Sequence, residues 1–235
     1  MSSLNLEKYD EWKDDKNMLN DVMRFLDNVL SDFINRAPDQ FSDATYAAER
    51  ERSVGLGVMG FHSYLQKNQI PLESVMSKVW NKKIFKHIQE NVDQASKDLA
   101  EERGACPDAA EYGYNERFSN KTAIAPTASI SVICGGASPG VEPVAANSYT
   151  HKTLSGSFNV RNRYLVKVLE KYGKSTNEVW SGITNNQGSV SHLDFLTDIE
   201  KDVFKTAFEL DQKWIIELSG DRTPYISQAQ SINLF

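Results

Sequence analysis

The stretch Thr122-Ala-Ile-Ala-Pro-Thr-Ala-Ser-Ile-Ser131 reads as a short buried strand stopped by a proline, after which small hydroxyl residues open a helix. N–H groups in a first helical turn lack an intrahelical acceptor and carry partial positive charge, so this turn can hold a phosphate without Lys or Arg. Thr127 and Ser129 add hydroxyls, and Ala128 keeps the approach open. The same residues also suit an ordinary N-cap, and spacing alone leaves both readings standing.

Downstream, the segment to Pro143 is rich in small residues and carries one charge, Glu142, flanked by Gly140-Val and Pro143. A lone acid there can orient a substrate hydroxyl or cap a turn. Tyr149 to Val160, β-branched and aromatic around Gly156, reads as a hairpin. Helical patterns follow at Tyr164 to Tyr172 and from Ile199 to Leu218, stopped by Gly220, and Ile226 to Phe235 reads as a strand. Upstream, Met18, Leu19, Val22, Met23, Leu26, Val29, Leu30, Phe33 and Ile34 mark one helix face. Ser53 to Val58 is short and buried in composition, and a helical pattern follows through Phe61, Tyr64 and Leu65. A long apolar period from Val75 to Leu99 stops at Gly104, a residue suited to a left-handed cap. Residues 1–104 are therefore mostly helical. No repeat or linker interrupts the chain, and 1–235 reads as one domain.

With 26 Lys and Arg against 32 Asp and Glu, the net charge is −6, which excludes a sequence-wide field for nucleic acid or anionic membrane. Val54 to Phe61 is the longest apolar or glycine run, too short to span a bilayer, and the acidic N-terminus is unlike a signal peptide. The expected location is cytoplasmic. Cys106 and Cys134 are too few for a disulfide framework and are expected to be reduced and structural. Gly55-Leu-Gly-Val-Met-Gly60 matches a dinucleotide fingerprint, but Glu-Arg-Glu-Arg precedes it and a helical region lies where the acidic ribose ligand should be. Close strand-to-helix packing explains these glycines better. The four histidines have no metal-ligand or catalytic spacing, and the paired carboxylates Glu49/Glu51 and Glu101-Glu102 read as solvated faces.

Several segments together resemble the large, catalytic subunit of class I ribonucleotide reductase. They are Arg52-Ser-Val-Gly-Leu-Gly-Val-Met-Gly60, Leu99-Ala-Glu-Glu-Arg-Gly-Ala-Cys-Pro107, Ala125-Pro-Thr-Ala-Ser-Ile-Ser131, Gly140-Val-Glu-Pro143, Tyr149-Thr-His-Lys-Thr-Leu-Ser-Gly-Ser-Phe158 and Gln228-Ala-Gln-Ser-Ile-Asn233, in the family's order and spacing. The resemblance implies a helix-rich, C-terminal portion of the family's ten-stranded α/β barrel, with the phosphate loop, hairpin and closing helices and strand in 105–235. It also implies a part in radical reduction of ribonucleotides to deoxyribonucleotides for DNA replication. Carried across, the substrate-diphosphate role falls on Pro126, Thr127, Ala128, Ser129 and Ile130 through main-chain N–H groups, with Ser131 added. The family's thiyl-radical cysteine, its flanking Asn and Glu, and its reducing cysteine pair have no counterpart here, so no catalytic residue and no metal site are expected. Cys106 matches a non-catalytic position.

Ser2-Ser-Leu-Asn-Leu6 resembles the stretch just after the second redox cysteine, and the chain stops before the family's paired tyrosines and mobile tail. The expectation is one piece of a split large subunit, inactive alone, from an interrupted, intein-bearing or viral gene. Its implied partners are the large-subunit chain with the cysteines, a metal-containing small subunit that supplies the radical, thioredoxin or glutaredoxin as reductant, and a ribonucleoside diphosphate substrate. A non-catalytic binding remnant of the same fold is the alternative, and a fragment of a cobalamin-dependent reductase a third. A partial barrel is expected to leave apolar surface at Thr122–Ala125 and Ile226–Phe235.

Overall fold

The computed structural model describes residues 1–153 and 156–235. Its frame is a series of parallel extended segments in chain order. β1 (Ser2–Asn5) pairs in parallel with β2 (Leu56–Met59), Ser2 opposite Leu56 and Asn5 opposite Met59. Leu56 then bridges in parallel to Thr122, and Ile124 to Gln230. Helices fill each crossover, as parallel pairing requires. α1 (Tyr9–Trp12), α2 (Met18–Arg36) and α3 (Ser42–Glu51) join the first two segments; α4 (Phe61–Lys67), α5 (Val75–Arg103) and α6 (Pro107–Glu111) lead to the third. Sequential parallel neighbours wound with helices form an arc of a barrel.

The third segment is narrower than the expected strand over Thr122–Ala125. Its groups alternate, with Ala123 N–H donating to Leu56 O (3.1 Å) and Ile124 N–H to Ala229 O (3.0 Å), before Pro126 removes the next donor. Flanked on both sides, Thr122, Ala123 and Ile124 are buried, contrary to the apolar surface expected there. The C-terminal segment touches the sheet only around Gln230 and is no regular strand, while Leu234 and Phe235 are exposed as expected.

Between the third and fourth segments lie α7 (Ala128–Ile133), an antiparallel hairpin of β3 (Ser148–Thr153) and β4 (Gly156–Arg161), α8 (Arg163–Lys171), α9 (Asn177–Asn185), α10 (Asp198–Val203) and α11 (Gln212–Arg222). The hairpin matches its reading, and its Leu154-Ser155 step lies outside the described residues. The single helical pattern over 199–218 is two helices. Glu209 accepts from the Thr206 N–H and hydroxyl (both 2.9 Å) and closes a turn, and Asp211 caps the new helix through the Lys213 N–H. Gly220 does not stop α11; Pro224, just past its end, does. Gly104 takes φ +87° with ψ 149°, so α5 ends on a positive-φ glycine in an extended rather than left-handed conformation.

Two hydrophobic clusters result. One joins the sheet to α2, α4, α5 and α11, with Leu6, Met23, Phe61, Val92 and Leu99 fully buried. The other is local to α8–α10, around Leu165, Trp180, Ile183 and Phe204. Gly57 explains the false dinucleotide fingerprint: a Cβ there would overlap the Ala123 carbonyl oxygen, so the glycine lets two backbones approach.

Candidate functional site

The segment that begins at Pro126 leaves the sheet where the third extended segment ends. Thr127 has φ +53°, a left-handed conformation that non-glycine residues adopt rarely, and directly precedes α7. Its hydroxyl accepts from the Gly140 N–H at 2.7 Å, which ties the turn to the returning loop. Gly140 is itself at φ +50°, and a Cβ there would stand 2.9 Å from the Ala125 carbonyl oxygen. The return loop is pinned over the start of α4. Gly60 N–H donates to Ser138 O (2.7 Å), and Ser63 and Ser138 exchange main-chain to hydroxyl bonds of 3.1 and 2.9 Å. Glu142 is buried and accepts from the Asn233 amide (2.8 Å), so it clamps the C-terminal segment.

Of the expected site residues, Pro126, Ala128, Ser129 and Ile130 are exposed and Thr127 partly so. The main-chain N–H groups of Ala128, Ser129 and Ile130 form the first turn of α7, where helix geometry supplies no acceptor. Ser131 is buried, and its hydroxyl bonds back to Ala128 O (3.2 Å). Ala128 and Ser131 line a cavity of about 650 Å³ between α4, α7, the 135–146 loop, the hairpin base and α8; the other four do not. No acidic residue lines it, and Arg161 and Arg163 do. Arg163 donates to Glu7 (2.9 Å) and to Gly135 O (2.6 Å), while the Tyr164 hydroxyl donates to the same buried Glu7. Burial, then Glu7, pushes the Tyr164 phenol well above its usual range. Ser63, Ser138 and the two arginines were not legible as site residues, because their roles come from tertiary contacts.

His62 is buried on α4, and its Nδ1 accepts from the Val144 N–H (3.0 Å), which places the proton on Nε2. That nitrogen has no partner, and burial lowers the pKa of the imidazolium to about 3. The unfolded chain takes up this proton near pH 6.5 and the folded chain only near 3, so stability is full above 6.5 and falls as pH drops through that window. The slope is about 1.4 kcal/mol per pH unit. Urea midpoints measured from pH 7 to 5 should decline by the equivalent of about 2 kcal/mol, and His62→Gln should remove most of that decline.

Cys106 is buried, as a structural residue should be, but Cys134 is exposed at the end of α7, whose only buried residue is Ser131. Among the described residues there is no cluster of metal-ligating side chains and no helix long and apolar enough to cross a membrane.

Comparison with known proteins places this geometry. The family model "Ribonucleotide reductase, barrel domain" matches residues 1–116 and 108–235. The ribonucleoside-diphosphate reductase large subunit of Invertebrate iridescent virus 6 is 49% identical over 239 residues, covering all of this chain and 25% of the viral protein. That of Invertebrate iridescent virus 3 is 43% identical over 238 residues, covering 38% of its length. A solved structure, the class Id ribonucleotide reductase alpha subunit of Actinobacillus ureae, superimposes with a TM-score of 0.91 at 41% identity, over 99% of this chain and 42% of that one. The chain thus spans between 25% and 42% of these relatives, and with the arc of parallel segments and its helix-opening loop accounted for, the chain belongs to the ribonucleotide reductase barrel-domain family.

Proposed function

We propose that this chain forms part of the large subunit of a class I ribonucleoside-diphosphate reductase and holds the substrate's diphosphate on the Pro126–Ser131 turn. One observation carries the reading: the exposed first turn of α7, free of bulky side chains at Ala128 and Ser129, is fixed by the Thr127–Gly140 bond. An acidic protein can bind phosphate there through oriented N–H groups. The radical and redox cysteines come from the rest of the large subunit, the radical from a metal-containing small subunit and the reducing electrons through thioredoxin or glutaredoxin. The chain alone is inactive. Its part in the chemistry is to bind and orient, so that the ribose is presented to groups on the partner chain.

The test begins with native mass spectrometry of the tagged chain recovered from its host, where a stoichiometric complex with a cysteine-bearing large-subunit chain is expected. In that complex Ala128→Asp sets a carboxylate at the diphosphate position and should lower kcat/KM for ribonucleotide reduction about 100-fold, with Ala128→Ser close to wild type. Unchanged turnover by the Asp variant would refute the phosphate assignment.

A further inference from the structure

Among the described residues three carboxylates are buried, and they are held in two different ways. Asp27 pairs with three arginines and Glu7 with Arg163, whereas Glu142 accepts from the neutral Asn233 amide and pairs with no cation. Burying a carboxylate without a counter-charge costs stability, so a gain in stability does not account for Glu142. Its place in the hydrogen-bond pattern does.

Glu142 closes a ring of hydrogen bonds around the turn after Pro126. Ile124 enters the ring with both main-chain groups on the C-terminal segment: its N–H donates to Ala229 O (3.0 Å) and its carbonyl accepts from the Ser231 N–H (3.0 Å). Two residues on, the Asn233 amide donates to Glu142 (2.8 Å). The Glu142 N–H donates to Pro139 O (2.9 Å) in a turn that fixes Glu142 relative to Gly140, and the Gly140 N–H donates to the Thr127 hydroxyl (2.7 Å). One segment therefore holds the turn both where it leaves the sheet and where it returns. A threonine placed before a helix commonly accepts from N–H groups of the first turn, but Thr127 makes no such bond. Its hydroxyl serves Gly140 instead, and its backbone stays at φ +53°, a conformation that persists only where the surroundings over-determine it.

We propose that Glu142 and Asn233 are positioning residues for the turn. Their bond keeps Thr127 left-handed with its hydroxyl on the return loop, and so leaves the Ala128, Ser129 and Ile130 N–H groups uncapped and aligned for a diphosphate. Both residues act through Gly140 and Thr127. The diphosphate as ligand rests on the functional reading above, whereas the ring stands on the hydrogen bonds alone.

The experiment opens the ring in the full chain and closes it again in reverse. Asn233→Asp sets two carboxylates against each other, and in the double variant Glu142→Gln/Asn233→Asp the amide at 142 donates to the carboxylate at 233. Hydrogen exchange is followed by NMR at the Gly140 N–H and at the Ser131 N–H, which donates to Thr127 O (3.0 Å), with the amides of α5 reporting global opening. Asn233→Asp should speed exchange at both positions about tenfold at unchanged α5 rates, and the double variant should return to within about twofold of wild type. Glu142→Gln, which can still accept from Asn233, should stay within about threefold. Unchanged exchange in Asn233→Asp overturns the proposal, as does acceleration that the double variant fails to restore. Acceleration by Glu142→Gln as large as by Asn233→Asp also overturns it, because the charge rather than the bond would then matter. Should Asn233→Asp raise α5 exchange as well, Asn233→Ala removes the donor at this exposed position without adding charge and reads the same contrast. Binding of inorganic pyrophosphate by calorimetry is scored separately, and its affinity should fall about tenfold in Asn233→Asp and recover in the double variant. Wild-type binding that Asn233→Asp leaves unchanged overturns the proposal. Exchange that responds as expected while wild type binds no pyrophosphate leaves the ring standing and counts against the functional reading.

Discussion

Asp27→Ala should lower the unfolding free energy by about 3–5 kcal/mol, measured as a shift in urea midpoint. Asp27 has no exposed surface and receives three arginines: Arg52 (2.7 Å), Arg103 (2.8 Å) and Arg117 (3.0 Å). These come from the end of α3, the end of α5 and the loop before the third segment, so one carboxylate ties three connections to α2. Burial alone would raise its pKa, and the hydrogen bonds from Arg117, Arg103 and Arg52 outweigh it and hold the carboxyl below its usual range. The sign follows: the unfolded chain protonates first, so this contribution is complete above the ordinary carboxylate range and is lost as pH falls through the lowered folded value. Truncation is costly because Arg52 and Arg117 are themselves buried or nearly so, and lose their counter-charge. Arg103→Gln, at a side chain 27% exposed, should cost only about 1 kcal/mol.

Gly57→Val should be of comparable size, at about 3 kcal/mol or more, with thermal unfolding as the readout. A Cβ at this position meets the Ala123 carbonyl, which belongs to backbone and cannot swing aside as a side chain would. Ala123 is also held by its N–H to Leu56 O, so relief means breaking the bridge between β2 and the third segment. That segment enters Pro126 three residues later, so a variant that still folds should bind phosphate more weakly. Gly55→Ala is the control: its added Cβ would meet mainly the flexible Met1 side chain, at 3.1 Å, and should cost little.

The parts of the fold legible in sequence were those with a strong local period. The apolar spacing of α2 and α5 named both helices, and the run of hydroxyl residues after Pro126 marked the turn that opens α7. Elsewhere a local pattern met a tertiary fact. Residues 199–218 keep an apolar rhythm across a break, because Phe204, Ala207 and Leu210 are buried in a turn as they would be in a helix. β1 is four residues long and three of them are polar, too little for alternation to register. α9 is too short for its apolar spacing to stand out, although Thr176 caps it and Trp180 and Ile183 anchor it. Within the site, the carboxylate of Glu142 accepts from the amide of Asn233, 91 residues away, a partner that no local pattern announces. The one available sign of the Asp27 cluster was an acid on the buried face of α2, beside Leu26.

The third segment finds its two neighbours at very different distances along the chain. Its contact with Leu56 spans 66 residues back, while the bridge from Ile124 to Gln230 closes a loop of 106 ahead. During synthesis the local cluster of α8–α10 can condense as soon as it emerges, but the second edge of residues 122–124 waits for residues 228–231, made about a hundred residues later. Until then the segment leading into the candidate phosphate turn can pair only on its Leu56 side. The candidate site therefore gains its second sheet neighbour only after the α8–α10 cluster has formed.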